Sequence, residues 1–224
     1  MKELAILTFF LVFFLTEMAW AQGKIALPEP KTKGEMSVEE ALFRRRSVRN
    51  FLDEALTVPE LSQLLFAAQG VTEKIYGFRT TPSAGALYPL ELYVVVGKVE
   101  GIIPGVYRYH PRDHAIEMVT EGDRRTELFH SALSQESIRE APVTLLLSAV
   151  YERTTRRYGE RGIRYVHMEV GHAAQNVYLE AQALGLGTVA IGAFRDEEVT
   201  QIVQLPRNQL PLYLMPVGRP KNGH

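Results

Sequence analysis

Four arginines and a hydroxyl crowd one short stretch of the chain, Arg44-Arg45-Arg46-Ser47-Val48-Arg49, and that set is suited to holding a phosphate. A guanidinium fork offers paired donors that match phosphate oxygens in a way the point charge of lysine cannot, and Ser47 adds a hydroxyl donor. A second stretch, Pro82-Ser83-Ala84-Gly85-Ala86-Leu87-Tyr88-Pro89, holds residues with almost no side chain, so a flat ligand can approach the backbone and bond to it. A third, Gly185 to Phe194, puts Gly192 and Ala193 at the far end of an apolar run, where open α/β sheets present their ligands. Each has a plainer reading: a basic helix end favoured by the dipole, a loop entering a strand, and a tight helix-to-strand turn. Together they describe a cradle for a planar, phosphorylated molecule.

The elements that position them are legible in outline. Ser37-Val38-Glu39-Glu40 reads as a capping box opening a helix that carries Ala41, Leu42 and the arginines; if it runs on to Arg49, Arg45 and Arg49 share a face. Thr57-Val58-Pro59-Glu60 repeats the device, with Leu61, Leu64, Leu65 and Ala68 as the apolar face and Gly70 as the stop. Leu90 to Gly97 and Val143 to Val150 read as buried strands, and 106–109 with 115–119 as a hairpin. A helix is expected over 123–134. The mixed charges from Glu152 to Arg157 read as a solvated loop. From Arg164 to Leu184 apolar residues recur at spacings of three and four, which predicts the longest helix. A third strand over 187–194, a short helix over 196–203 and a last strand over 212–217 complete the pattern.

Composition narrows the chemistry. The chain has 224 residues, a formal net charge of −1 and no cysteine. Near-zero charge suggests neither a nucleic-acid groove nor a polybasic membrane surface. Without cysteine there are no disulfides, no thiol catalysis, no zinc thiolates and no iron–sulfur ligation, so any redox chemistry must belong to a bound organic cofactor. His167 and His172 are five apart and do not form the His-Glu-x-x-His pattern; no metal site is expected.

Residues 1–21 read as a signal peptide, with an apolar run from Leu4 to Leu15 and Ala19-Trp20-Ala21 before the cleavage point. The run is short for a bilayer core of roughly 30 Å. The expected location is periplasmic or extracellular, the alternative being an uncleaved N-terminal anchor. Residues 22–36, rich in Pro, Lys and Gly, read as a linker, and residues 37–221 as one domain.

Segments 44–51, 82–89 and 165–194, in this order and spacing, resemble the nitroreductase superfamily of FMN enzymes, and in particular its SagB/ThcOx-type dehydrogenase branch, whose signature is the string from Pro82 to Pro89. The resemblance spans Ser37 to Pro220. It implies an α+β fold with a mixed, mainly antiparallel sheet wrapped by helices, and a homodimer with two FMN sites across the subunit interface. Arg45, Arg46, Ser47 and Arg49 would hold the phosphate and ribityl chain. Pro82, Ser83, Ala84, Gly85 and Leu87 would line one face and edge of the isoalloxazine. Ile191, Gly192 and Ala193 would meet the opposite face, and Arg219 or Lys221 would reach the phosphate from the C-terminal side.

The implied chemistry is ping-pong transfer of hydride or electrons through flavin N5, to or from a small or peptide-linked organic substrate, with NAD(P)H or another electron donor. No nucleophile is required; Tyr88, Tyr158 and Tyr165 are candidate general acids. This chain has Ala86 to Tyr88 where many nitroreductases carry an amide side chain, and Arg157-Tyr158 where azoline-forming members use a Lys-Tyr pair. Two alternatives stand beside the oxidoreductase reading: dehydrogenation of azoline rings in modified peptides, and a flavin-binding protein without turnover.

Overall fold

The structure is a computed structural model that describes residues 23–221. The expected signal peptide lies outside the described residues. In chain order the elements are β1 (Lys24–Ala26), α1 (Val38–Arg44), α2 (Val58–Gln69), β2 (Val71–Glu73), β3 (Phe78–Arg79), β4 (Leu90–Val96), β5 (Gly105–His110), β6 (Ala115–Glu121), α3 (Arg125–Ser131), α4 (Glu136–Glu140), β7 (Val143–Ala149), α5 (Glu152–Tyr158), α6 (Arg161–Ala183), β8 (Gly187–Thr188), α7 (Asp196–Val203) and β9 (Leu210–Gly218). Seven strands form one sheet in the order β1-β6-β5-β4-β7-β9-β8, and each neighbouring pair is antiparallel. Parallel contacts occur as isolated bridges, Ser47 with Thr188 and Leu56 with Val99. This is the expected α+β architecture.

Strand periodicity explains why both faces are covered. Successive side chains of a strand point to opposite faces. On β4, Leu90, Leu92, Val94 and Val96 join the core that holds Leu61, Leu64 and Leu65 of α2 and Val166, Val170 and Val177 of α6. Tyr93 and Val95 point the other way, into a second core with Leu128 of α3, Ile138 of α4 and Val199 of α7. Leu64 is fully buried, and truncating such a leucine to alanine costs about 2–5 kcal/mol.

The Thr57 capping box forms in full: Thr57 accepts from the Glu60 amide, Glu60 accepts from the Thr57 amide, and Pro59 lies in the first turn of α2. At Ser37 only half forms. Its hydroxyl accepts from the Glu40 amide at 3.1 Å, but Glu40 pairs with Arg44 at 2.7 Å instead of reaching back. Residues 24–31, expected within a linker, engage the folded body. β1 pairs with β6, Leu27 is buried, and Lys31 and Gln63 of α2 exchange two hydrogen bonds.

Three expectations are corrected. The first helix ends at Arg44, and Arg45 is already extended, with ψ at 126°. The Arg46 guanidinium closes that end by donating to the carbonyls of Phe43 and Arg45. The charged stretch from Glu152 to Arg157 is helix α5, not a loop. It carries no apolar stripe, and it packs backbone-close to α6: a Cβ on Gly162 would lie 2.9 Å from the Thr155 Cα. The strand expected over 187–194 is only Gly187–Thr188. The Ala190 amide leaves the ladder for the Tyr178 hydroxyl at 2.8 Å, and pairing resumes as one bridge between Ile191 and Leu214.

Candidate functional site

After α1 the chain runs extended beside β8, where the Val48 amide donates to the Thr188 carbonyl at 2.9 Å. Alternation then does what a helix would have done at another period. Val48 turns inward against Gly187, where an added Cβ would lie 2.7 Å from the valine side chain, while Ser47 and Arg49 are exposed. Arg45, Ser47 and Arg49 thus fall on one side of an extended run. Arg46 is on the other phase, tied to the end of α1.

Tyr178 of α6 organises this region, and no motif or spacing in the chain marks it. Its hydroxyl lies 3.1 Å from the Ser47 hydroxyl and accepts the Ala190 amide. The Arg45 guanidinium sits over its ring, 5.1 Å from the centroid. One phenol therefore fastens the arginine segment to the segment entering Ile191, Gly192 and Ala193. Ile191 spends its amide on Leu214. Gly192 and Ala193 are exposed, and among the described residues their amides meet no acceptor. They are donors still to be spent.

The loop from Pro82 to Pro89 is held under strain. Gly85, Ala86 and Tyr88 all have positive φ, at 62°, 53° and 47°, and a non-glycine residue in that region costs on the order of 1–3 kcal/mol. The loop keeps the conformation because its surroundings fix it. The Ser83 hydroxyl accepts the Tyr88 amide at 2.9 Å, Arg153 donates to the Tyr88 carbonyl at 2.9 Å, and the Tyr88 hydroxyl accepts the Arg79 amide at 3.2 Å. Pro82, Gly85 and Ala86 are exposed, and Ser83, Ala84 and Leu87 are half-buried.

Two further groups reach this loop. A Cβ on Gly85 would lie 2.8 Å from the Tyr158 hydroxyl and 3.0 Å from an Arg157 nitrogen. Tyr158 and Tyr165 stack edge to face at 5.1 Å. The pair of residues singled out as the counterpart of a Lys-Tyr dyad therefore adjoins the small-residue loop. Glu169 of α6, 3% exposed, has an Oε1 with no hydrogen-bond partner among the described residues. Burial pushes its carboxyl up to about 7, against the opposing pull of the Ser83 hydroxyl and the Arg79 guanidinium.

Arg219 is committed elsewhere: its guanidinium pairs with Glu54 at 3.1 Å and Glu60 at 2.9 Å. Lys221 pairs with Glu140 at 3.0 Å. No hydrogen bond or bridge among the described residues joins the Pro82–Pro89 loop to the arginine segment or to 191–193. The helix explains the separation. Glu169 and Tyr178, which serve the two regions, are nine residues apart on α6, about 180° around the axis at about 100° per residue. One chain thus presents two half-cradles on opposite sides of its long helix.

Residues 42–219 match the nitroreductase family. The chain belongs to that family. Nitroreductase-family proteins are flavin-dependent oxidoreductases, so this chain is an oxidoreductase by membership. It is 53% identical over 196 residues to a Methanocaldococcus jannaschii protein whose name places it among the nitroreductases, covering 88% of this chain and 96% of that one. A crystal structure from Anabaena variabilis, titled as a nitroreductase, superposes with a TM-score of 0.78 at 31% identity over 88% of this chain; the chain spans 42% of that longer one. The Escherichia coli microcin synthetase McbBCD complex, with truncated pro-MccB17 bound, contains a chain that matches with a TM-score of 0.69 at 25% identity, over 93% of this chain and 82% of that one.

Proposed function

We propose that this nitroreductase-family protein is an FMN enzyme that passes electrons between a donor and a small organic acceptor, and that two copies of the chain complete each site. The supporting observation is the strained Pro82–Pro89 loop, in which Ala86 and Tyr88 hold positive φ. Strain of that kind persists where the surroundings over-determine it, often at ligand sites. The residues present fit the cofactor. Arg45, Ser47 and Arg49 offer two guanidinium forks and a hydroxyl for the phosphate. Gly192 and Ala193 offer free amides, and Ala84, Gly85 and Ala86 let a ring approach the backbone. The bound flavin would supply hydride acceptance and donation; the chain supplies position, charge and exclusion of water.

The half-cradles on opposite sides of α6 favour assembly from two copies, with the loop of one facing the arginine segment of the other. Exposed Ile163 and Met168 on α6 would give such an interface apolar contact. Arg46 and Arg219, held by their own partners, would contribute less to the phosphate than Arg45 and Arg49.

The placement of Arg157 and Tyr158 against Gly85, with the likeness to a chain of the microcin synthetase complex, favours a second reading in which the substrate is an azoline ring in a modified peptide. An arginine stays protonated, so Arg157 would orient an anionic or carbonyl group, and Tyr158 would carry any proton. The proposed location outside the cytoplasm rests on residues 1–21 and is tested by finding the mature N-terminus after expression.

The functional test is the visible spectrum of the purified protein after incubation with FMN and desalting. Retained flavin at about one per chain is expected, with loss in Arg45→Ala and Arg49→Ala. A colourless wild-type protein would overturn the reading. Turnover with azoline-containing peptide but not with quinones or nitroaromatics would select the second reading.

A further inference from the structure

A cavity of about 490 Å³ opens beside the loop, on the side of Leu87 and Tyr88. It shares Leu87 and Tyr88 with the loop and includes none of residues 45–49, 82–86 or 191–193. Four arginines line it, Arg79, Arg108, Arg112 and Arg153, against the carboxylates Glu91 and Asp113.

Those carboxylates are already engaged. Glu91 accepts from Arg108 at 2.8 Å and from Arg153 at 2.5 Å, and Asp113 pairs with Lys24 at 2.7 Å. Arg79 is left with a neutral partner: it donates to Gln69 Oε1 at 2.8 Å and stacks over the Tyr88 ring, 4.6 Å from the centroid. Burial pushes the Arg79 guanidinium down from its ordinary range. Arg112 has no carboxylate within ion-pair distance among the described residues, and its guanidinium lies beside Gly77, in the turn leading to Arg79. A partly buried cation without a counter-charge is costly.

Gln69 supplies an independent sign of an absent partner. It is fully buried, it lines the cavity, and its Nε2 has no hydrogen-bond acceptor among the described residues. Because Arg79 donates to its oxygen, the amide is oriented with the nitrogen as the free group. Arg79 feels the carboxylates Glu91 and Glu169 only without direct pairing, and Gln69 Nε2 has no acceptor, so the cavity favours an acceptor that carries negative charge. The half-buried Tyr88 gives the same cavity apolar ring surface, which suits an organic molecule with an anionic head.

We propose that this cavity binds the carboxylate or phosphate of a small organic anion, held by Arg79, Arg112 and the side-chain amide of Gln69. The three groups that hold the anion are not among those assigned to FMN; Leu87 alone is common to the cavity lining and to that assignment.

Isothermal titration of the full chain with succinate and with inorganic phosphate, at constant ionic strength set by chloride, tests it. At least one probe is expected to bind wild type at one site per chain. Arg112→Gln, an exposed position that the fold tolerates, should weaken binding about tenfold, the loss of one charge-assisted pair of hydrogen bonds. Arg79→Gln should do the same, and Arg207→Gln, at an exposed arginine outside the cavity, should leave binding unchanged. Binding of succinate alone assigns a carboxylate head, and binding of phosphate alone assigns a phosphate. Absence of binding by both, or binding lost in Arg207→Gln and kept in Arg112→Gln, would overturn the proposal.

Discussion

The hydroxyl of Tyr178 lies 3.1 Å from that of Ser47, and through the same oxygen it accepts the amide of Ala190. Two segments separated by more than a hundred residues thus share one atom. That atom sets where the arginines stand relative to the free amides of Gly192 and Ala193.

Removing the oxygen while keeping the ring isolates its contribution. Tyr178→Phe leaves Arg45 its aromatic partner and leaves the Ala190 amide without an acceptor, at a cost of about 1–3 kcal/mol. The expected outcome is FMN binding weaker by roughly tenfold or more, read by quenching of flavin fluorescence, with secondary structure unchanged. Affinity equal to wild type would show that the bridge does not position the site.

Gly85 is squeezed from two directions. Its φ is 62°, which costs any side chain about 1 kcal/mol, and a Cβ would meet the Tyr158 hydroxyl. Gly85→Ala should lower the melting temperature modestly and reduce turnover much more. Combining it with Tyr158→Phe should recover part of the stability, because the closest contact is gone. Stability and turnover falling in proportion would mean the loop is only structural.

Glu169 gives stability a pH dependence of known sign. Its ordinary value is 4.5 and burial raises it to about 7 in the folded chain. Below the ordinary value both states hold the proton. Between the two values the unfolded chain releases a proton that the folded chain keeps, so stability falls as pH rises. Above the folded value the penalty is complete, on the order of 3 kcal/mol. Glu169→Gln, neutral at every pH, should remove this decline. Denaturant midpoints of both proteins at about pH 5 and about pH 8 measure it; parallel declines would place the titrating group elsewhere.

Where local rules and tertiary packing agree, the sequence was sufficient. The Thr57 capping box, the apolar stripe of α2 and the buried runs of β4 and β7 all formed within a residue or two of expectation. Local rules failed where a distant group decided the outcome. Nothing between Gly187 and Phe194 shows that Tyr178 will take an amide from the ladder. Nothing in Glu152 to Arg157 shows that Gly162 will admit another backbone. The Ser37 cap predicts a helix through the arginine segment, and that helix stops at Arg44, yet Arg45, Ser47 and Arg49 still share a side, since four residues return to the same face in extended chain as well. The arginine cavity was invisible because Gln69, Arg79 and Arg112 belong to three separate elements and form no motif in sequence.

The three residues of β1 cover Ala115, Ile116 and Glu117 of β6, which would otherwise end the sheet with unpaired amides and carbonyls. An uncovered edge is a template for another chain, and repeated pairing of that kind leads to aggregation. The short segment that follows the expected cleavage point is therefore a guard on solubility. Trimming the protein to begin at Ser37, a natural choice if residues 22–36 were treated as a dispensable tether, would open that edge to its neighbours in solution.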